Sequence, residues 1–539
     1  MAQPDVTIDM LQDDVLLEIF DFYRNLVIES DGMWNWQKLL HICRRWRYLV
    51  LASPRRLDLQ IECDRRTPTR KVLDIWPPFP ISIHSCPSSM EGTRGNHNIF
   101  AALQRCNRIS RIDFRFITCT EVEQFAAAMD EPFPVLTDIC IHMLIKGSTD
   151  MAELPGSFLG GSAPRLQSFV LEGVAFPALP NLVLSATHFD SLHLIDIPHA
   201  GYIPPEVMVT FLLPLHTLDR LVVGFTSPES RPLQTSPPPS TRALLPSLTH
   251  FQFSGASEYL VDFIARIDTP MLNGLQMTFF SDNIANISQL HKFIDRTDGL
   301  KPFIQAEVYF CSWEVQASFK SHANIGLNIA CEALDAPLSS MIRLFEQFPS
   351  IPSGVEQLEL NDGPWDELIF LVEQEWETDL ADPLWQQLLS PFVSVKSLYV
   401  SQGLVPIIES VLEKLTGECV ITALPSLDNL FLEGSESSGF IENFMESLVS
   451  KRQLSGHPII VQRWERKSAF GSPSGGLQFC SCRHLILFLT VSLDSLNRNM
   501  YNDLHPITES GLLFIPTHET LHCHVYLLRI SMGICTLLN

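Results

Sequence analysis

The chain is short of positive charge. Its 539 residues carry 37 Lys+Arg against 61 Asp+Glu, a formal net charge of -24, and only 18% of all residues are charged. A general nucleic-acid binder needs broad phosphate neutralisation, so this balance argues against one. Long apolar runs are also missing. The strongest, "LILFLTVSL" at Leu485–Leu493, is far below the roughly 20 residues that a bilayer-spanning helix needs. The start, "MAQPDVTIDMLQDD", has acids where a secretory signal has a basic end and an apolar stretch. The 13 cysteines are odd in number, scattered and mostly inside apolar runs, which reads as reduced core residues in an intracellular protein of cytoplasm or nucleus.

Catalytic signatures are equally scarce. There is no G-x-S-x-G elbow, no phosphate loop of the G-x-x-x-x-G-K-[ST] type and no G-x-G-x-x-G fingerprint. "HETLH", His518–His522, does satisfy the H-E-x-x-H pattern, in which two histidines on one helical face hold zinc and the glutamate acts as base. A third ligand is missing: Val525 stands where the extended signature has glycine, and no Asp or Glu follows Glu519. "CSCRH", Cys480–His484, is a similarly incomplete cluster. A zinc metalloprotease is therefore a remote alternative, and the expectation is a non-catalytic chain with no cofactor and no metal site.

What is present is 46% hydrophobic composition, enough for one large core or two to three domains. Near the front, "HICRRWRYLVLASPRRLDL" packs five arginines around Trp46 in an otherwise acidic chain. A nucleic-acid patch, a membrane-surface helix and half of a docking module are the three readings. Asp13 and Asp14 open one helix, favoured by the positive end of the helix dipole, and Val15, Leu16, Ile19, Phe20, Tyr23 and Leu26 recur at helical spacing. After the loop "ESDGMWN" a second unit carries Leu39, Leu40, Ile42, Cys43, Trp46, Leu49 and Val50, and Pro54 stops it. So few residues bury little by themselves, so the surplus apolar surface asks for a partner or an adjoining domain.

"LQDDVLLEIFDFYR" followed by "WQKLLHICRRWRYLV" resembles the F-box, and more narrowly the fungal F-box proteins in which that motif heads a leucine-rich, repeat-like body. Leu11 fits the usual opening, and Gln12 stands where proline is typical. Leu39, Leu40, Ile42, Cys43, Arg44, Trp46 and Arg47 fit the second half. The resemblance covers about 50 residues. It implies docking on an acidic Skp-type adaptor that leads to a cullin scaffold and a ubiquitin-transfer machine. The contact would fall to Leu11, Val15, Ile19, Leu39, Leu40, Cys43, Arg44 and Trp46, with Trp46 bridging to the body. The expected function is therefore a substrate receptor of a ubiquitin ligase for an unknown protein target, with neither nucleic acid nor membrane as partner. The alternative is a repeat scaffold whose helices only cap the body.

Down the body a pattern Leu-x-x-apolar-x-apolar returns, often with a proline just before it. It occurs at Leu136/Ile139/Ile141, Leu166/Phe169/Leu171, Phe189/Leu192/Leu194, Leu218/Leu221/Val223, Leu248/Phe251/Phe253 and Leu272/Leu275/Met277. It returns at Val355/Leu358/Leu360, Val395/Leu398/Val400 and Leu427/Leu430/Leu432. The first six lie 30, 23, 29, 30 and 24 residues apart. The spacing predicts an irregular leucine-rich-repeat-like solenoid of α/β class, with a mainly parallel curved sheet and helical return segments at 257–267, 287–297, 337–348 and 404–415. "KPFIQAEVYF" and "NIGLNIAC" read as two further strands. The expected organisation is a helical module at 8–59, a connector at 60–109, the solenoid at 110–435 with a Pro/Ser-rich loop at 227–246, a terminal cap at 436–467, and a divergent, poorly packed tail at 468–539. "EWETDLADP", Glu375–Pro383, reads as a solvated acidic loop.

Overall fold

The computed structural model describes residues 11–465 apart from intervening segments, of which 27–38, 363–380, 413–423 and 434–448 are the longest. Two compact units divide the chain, 1–470 and 471–539. The tail, including "HETLH", "CSCRH" and "LILFLTVSL", lies outside the described residues, as does most of the acidic loop.

Each repeat motif becomes one strand for a local reason. In Phe133-Pro134-Val135-Leu136, Ala163-Pro164-Arg165-Leu166, Thr269-Pro270-Met271-Leu272 and Leu424-Pro425-Ser426-Leu427, the leucine N–H donates to the carbonyl three residues back, at 3.1–3.2 Å. Proline sits at the second position of each such turn, where its fixed φ fits. The turn buries the leucine, and the next residues leave as a strand with alternating faces. All three apolar positions of all nine motifs are at most 4% exposed.

These strands form one sixteen-stranded sheet. Its members, in chain order, are β1 Leu59–Glu62, β2 Ile81–His84, β3 Ile109–Ile117, β4 Asp138–Met143, β5 Ser168–Glu172, β6 Ser191–Ile197, β7 Arg220–Phe225 and β8 His250–Gly255. They continue as β9 Gly274–Phe280, β10 Gln305–Cys311, β11 Glu314–Lys320, β12 Asn324–Ala330, β13 Gln357–Asp362, β14 Ser397–Val400, β15 Asn429–Glu433 and β16 Ile460–Trp464. Neighbours pair in parallel from β1 to β9 and from β13 to β16. The chain is thus a mixed α/β protein with a large, mostly parallel sheet.

The sheet is wider than the sequence pattern indicates. It starts at Leu59 and runs to Trp464, so 60–109 and 436–467 contribute strands to it rather than only flanking it. It is flat where curvature was expected. The short returns offer a reason, because a full helix behind every strand would spread that layer more than the strand layer. Most return helices have six to nine residues, among them Leu179–Leu184, Pro205–Leu212, Ser257–Ala265 and Ser288–Arg296. Two returns, β4 to β5 and β7 to β8, hold no α-helix among the described residues and carry two-residue strands instead, at Ala152–Glu153 and Ala243–Leu244. The second of these ends the Pro/Ser-rich segment, where only a loop was expected; it pairs with Ile267–Asp268. Because β7 and β8 pair directly, that segment does not divide the fold.

Three strands stand where two were expected between residues 300 and 335. The spatial order is β9-β12-β11-β10-β13. β11 is antiparallel to both of its neighbours, while β12 runs parallel to β9 and β10 parallel to β13. An odd number of antiparallel strands restores the original direction, so the parallel order resumes beyond the insert. The repeat pattern does not predict β11, "EVQASFK", because its alternation of Val315, Ala317 and Phe319 lacks the leading Leu-x-x turn.

The asparagine that usually closes a leucine-rich turn is mostly absent, and a backbone ladder stands in its place. The N–H of Thr137 donates to the Ser110 carbonyl, Gln167 to Thr137, Asp190 to Gln167, Asp219 to Asp190, Thr249 to Asp219 and Asn273 to Thr249, at 2.8–3.0 Å. Each repeat thereby satisfies its neighbour's turn without a side-chain amide.

Candidate functional site

Two surfaces gather functional side chains. The first is the pair of helices α1 (Asp13–Leu26) and α2 (Arg44–Ala52). Leu16 and Phe20, four apart on α1, are buried, and Phe20 meets Trp46 at a ring distance of 4.7 Å. Trp46, Leu49 and Val50 form the buried face of α2 and belong to the same core as Leu59 and Ile61 of β1. The Cys43 thiol accepts the Trp46 N–H at 3.4 Å at the start of α2.

Arg45 holds the two helices together. Its guanidinium donates to the Leu11 carbonyl at 2.5 Å and to Asp13 Oδ1 at 2.6 and 3.0 Å. One of the five conspicuous arginines is therefore used inside the chain, at an exposed helix start.

The expected contact residues separate into two sets. Val15 and Ile19 are 43% and 40% exposed, Arg44 is exposed, and Leu11 and Cys43 are half-buried. Leu39 and Trp46 lie in the chain's own core, 7% exposed each, and Leu40 is outside the described residues. Ile42 and Tyr48, absent from the expected contact set, are 56% and 73% exposed. Their signal was in the sequence, since Tyr48 falls on the face of α2 opposite Trp46 and Val50.

The second surface is the sheet face turned away from the core. Side chains there stand in register rows. One row runs His84–Asp113–Cys140–Val170–His193–Val222–Gln252–Gln276 across β2 to β9. Asp113 accepts from Arg115 Nε at 2.9 Å and lies 3.5 Å from His84 Nδ1. Burial pushes its carboxyl up, but those hydrogen bonds and charges outweigh it and hold the pKa at about 2. Burial first, then the nearby Asp113 charge, raises the Cys140 thiol well above its ordinary range, which keeps it in the non-nucleophilic form. His142 pairs with Glu172 across the next row. His193, beside Ser191 Oγ at 3.1 Å, is lowered to about 4 by burial and by the charges of Arg220 and His142.

Beyond the insert the face changes character. There the row reads Glu307–Glu359–Tyr399–Phe431–Gln462 across β10, β13, β14, β15 and β16. Among the described residues, no group of three or more His, Cys, Asp or Glu side chains is placed to hold a metal ion. Among the same residues no helix is long and apolar enough to cross a membrane.

The fold is one of repeated strand-and-return units, and among the described residues the sheet face opposite the core carries half-buried, largely polar side chains. No protein-family model matches the chain, and no curated protein matches it. Among solved structures it is similar to the leucine-rich repeat-containing protein LegL7 from Legionella pneumophila. The identity is 12%, the match covers 75% of this chain and 99% of that one, and the TM-score is 0.25.

Proposed function

We propose that the chain is a non-catalytic substrate receptor in which α1 and α2 dock on an acidic Skp-type adaptor, itself joined to a cullin scaffold, and an irregular leucine-rich-repeat-like body selects a protein target. The observation that carries this reading is the division of apolar residues in the N-terminal helices. Leu16, Phe20, Trp46 and Val50 suffice to seat the helices on the body, yet Val15, Ile19, Ile42 and Tyr48 remain outside. Such an exposed apolar set beside arginines suits a partner with an acidic, partly apolar surface. A substrate receptor contributes to catalysis by holding its target near another subunit's reacting groups.

The test is co-purification of the full chain with a Skp-type adaptor, comparing the native sequence with Val15→Asp plus Ile19→Asp. The pair should weaken the complex by about 3 kcal/mol or more if these residues are central anchors. Their exposure leaves folding nearly unchanged. An adaptor that binds both forms equally would remove α1 from the interface.

A second reading keeps support from one observation. Trp46, Leu49 and Val50 belong to the same core as Leu59 and Ile61 of the edge strand β1, which is compatible with helices that only cap the body. A pure scaffold with capping helices would show no adaptor binding at micromolar concentration and would still bind its target.

A further inference from the structure

Tyr399, Phe431 and Trp464 stand on three successive strands, β14 to β16, on the face opposite the core residues Leu398 and Leu430 and the partly buried Val461. Tyr399 and Phe431 are directly opposed in register and stack at 4.4 Å with ring planes 7° apart. Trp464 meets Tyr399 nearly edge-on at 5.2 Å and 80°. Two rings stacked along a register row have their normals along that row. The second face of Tyr399 therefore looks toward its other register partner, Glu359, one strand spacing away at about 4.8 Å.

The carboxylates next in the row are held by built-in contacts. Glu359 and Glu307 are directly opposed, an arrangement that destabilises a sheet unless something compensates. The Asn361 amide compensates in part, donating to Glu307 at 2.8 Å and to Glu359 at 3.0 Å from a position only 2% exposed. Lys320 pairs with Glu307 at 2.8 Å. Among the described residues Glu359 has no ion pair of its own. An aromatic face and a carboxylate whose printed partner is a neutral amide thus meet on a half-buried surface that already draws a cation to its neighbour.

We propose that this strip binds an arginine-bearing segment of a partner protein, its guanidinium stacked on Tyr399 and forked onto Glu359. Arginine fits better than lysine because its planar group can stack and donate in the same plane. Phosphate-bearing partners are disfavoured by the carboxylates. The inference rests on the reading that the repeat-like body selects the target, and it names the chemistry of that target.

The full chain is titrated calorimetrically with an arginine–glycine peptide and with a lysine–glycine peptide of equal length. The arginine peptide should bind, and the lysine peptide should bind about threefold more weakly. Glu359→Lys should weaken the arginine peptide at least about tenfold, and Tyr399→Leu about fivefold. Glu359→Gln keeps an acceptor for Asn361 and should still weaken binding about fivefold, which separates lost charge from lost folding. No binding by the native chain, or equal binding by the native chain and a folded Glu359→Lys, overturns the proposal. Adaptor co-purification is read on the same variants. Glu359→Lys should leave it intact, so failure of the peptide site and failure of the adaptor reading give different patterns.

Discussion

In β4 to β9 every apolar residue of the repeat motif points into the core and is buried, while in α1 and α2 equally apolar residues are shared between the core and the surface. Phe253 of β8 is 0% exposed and stacks on the buried Tyr259. Ile19, one residue from the buried Phe20, is 40% exposed. A strand inside a wide sheet has one face to bury, and its neighbours on both sides complete that face. A helix on a sheet edge has more apolar circumference than one neighbour can cover. The leftover stripe marks the helices, and not the core strands, as the place where another apolar surface would add most.

The contrast can be broken by substitution. Phe253→Ala should cost about 4 kcal/mol in urea unfolding, whereas Ile19→Ala should cost under about 1 kcal/mol. A large loss at Ile19 would mean that α1 is sealed more fully than its exposure indicates.

Acid should weaken the sheet in two steps. His193 has its folded pKa depressed to about 4 from the ordinary 6.5. The unfolded chain therefore takes up a proton first as pH falls below about 6.5, and the folded state loses stability until about pH 4. The loss reaches at most about 3 kcal/mol. His193→Gln should flatten that part of the stability profile, measured by urea titration at successive pH values. A second decline belongs to Asp113, whose depressed pKa gives stability that is present above about pH 4 and is lost as pH approaches 2. An unchanged profile in the His193 variant would show that this histidine ionises freely in the folded chain.

The smallest effect is expected at Arg45→Ala. The ion pair with Asp13 is substantially exposed, at 35% and 57%, so its loss together with the bond to the Leu11 carbonyl should cost about 1 kcal/mol. Its value lies in orientation, and the readout is faster amide exchange in the first turn of α1 with little change in global stability.

Much of this architecture was legible because the repeat is local. Pro-x-Leu sets a turn, the next alternating pair sets a strand, and burial of both follows without knowledge of the neighbours. One strand could have been found by relaxing leucine alone: Ile109/Ile112/Phe114 keeps the same spacing. β1 and β2 were less accessible, since "LQIE" and "ISIH" are too short to show more than alternation. The reversed order of β10 to β12 could not be read at all. Which strand lies beside β9 depends on pairing between residues 50 positions apart, such as Gly274 with Asn324, and no local pattern encodes it.

The contact residues divide in the same way. Helical spacing placed Val15, Leu16, Ile19 and Phe20 on one apolar helix, and the pattern of Leu-x-x-apolar-x-apolar placed the core of the body. Only the tertiary structure decided that Leu16 and Phe20 turn inward while Val15 and Ile19 stay outside, because that choice depends on where Trp46 packs. Only the register decided that Glu359 stands beside Tyr399, because the two residues are 40 positions apart and meet through the pairing of β13 with β14. Sequence determines what each segment can bury, through turn chemistry and periodicity that act over a few residues. Tertiary structure determines what is left exposed, because exposure is what remains after every distant segment has taken its place.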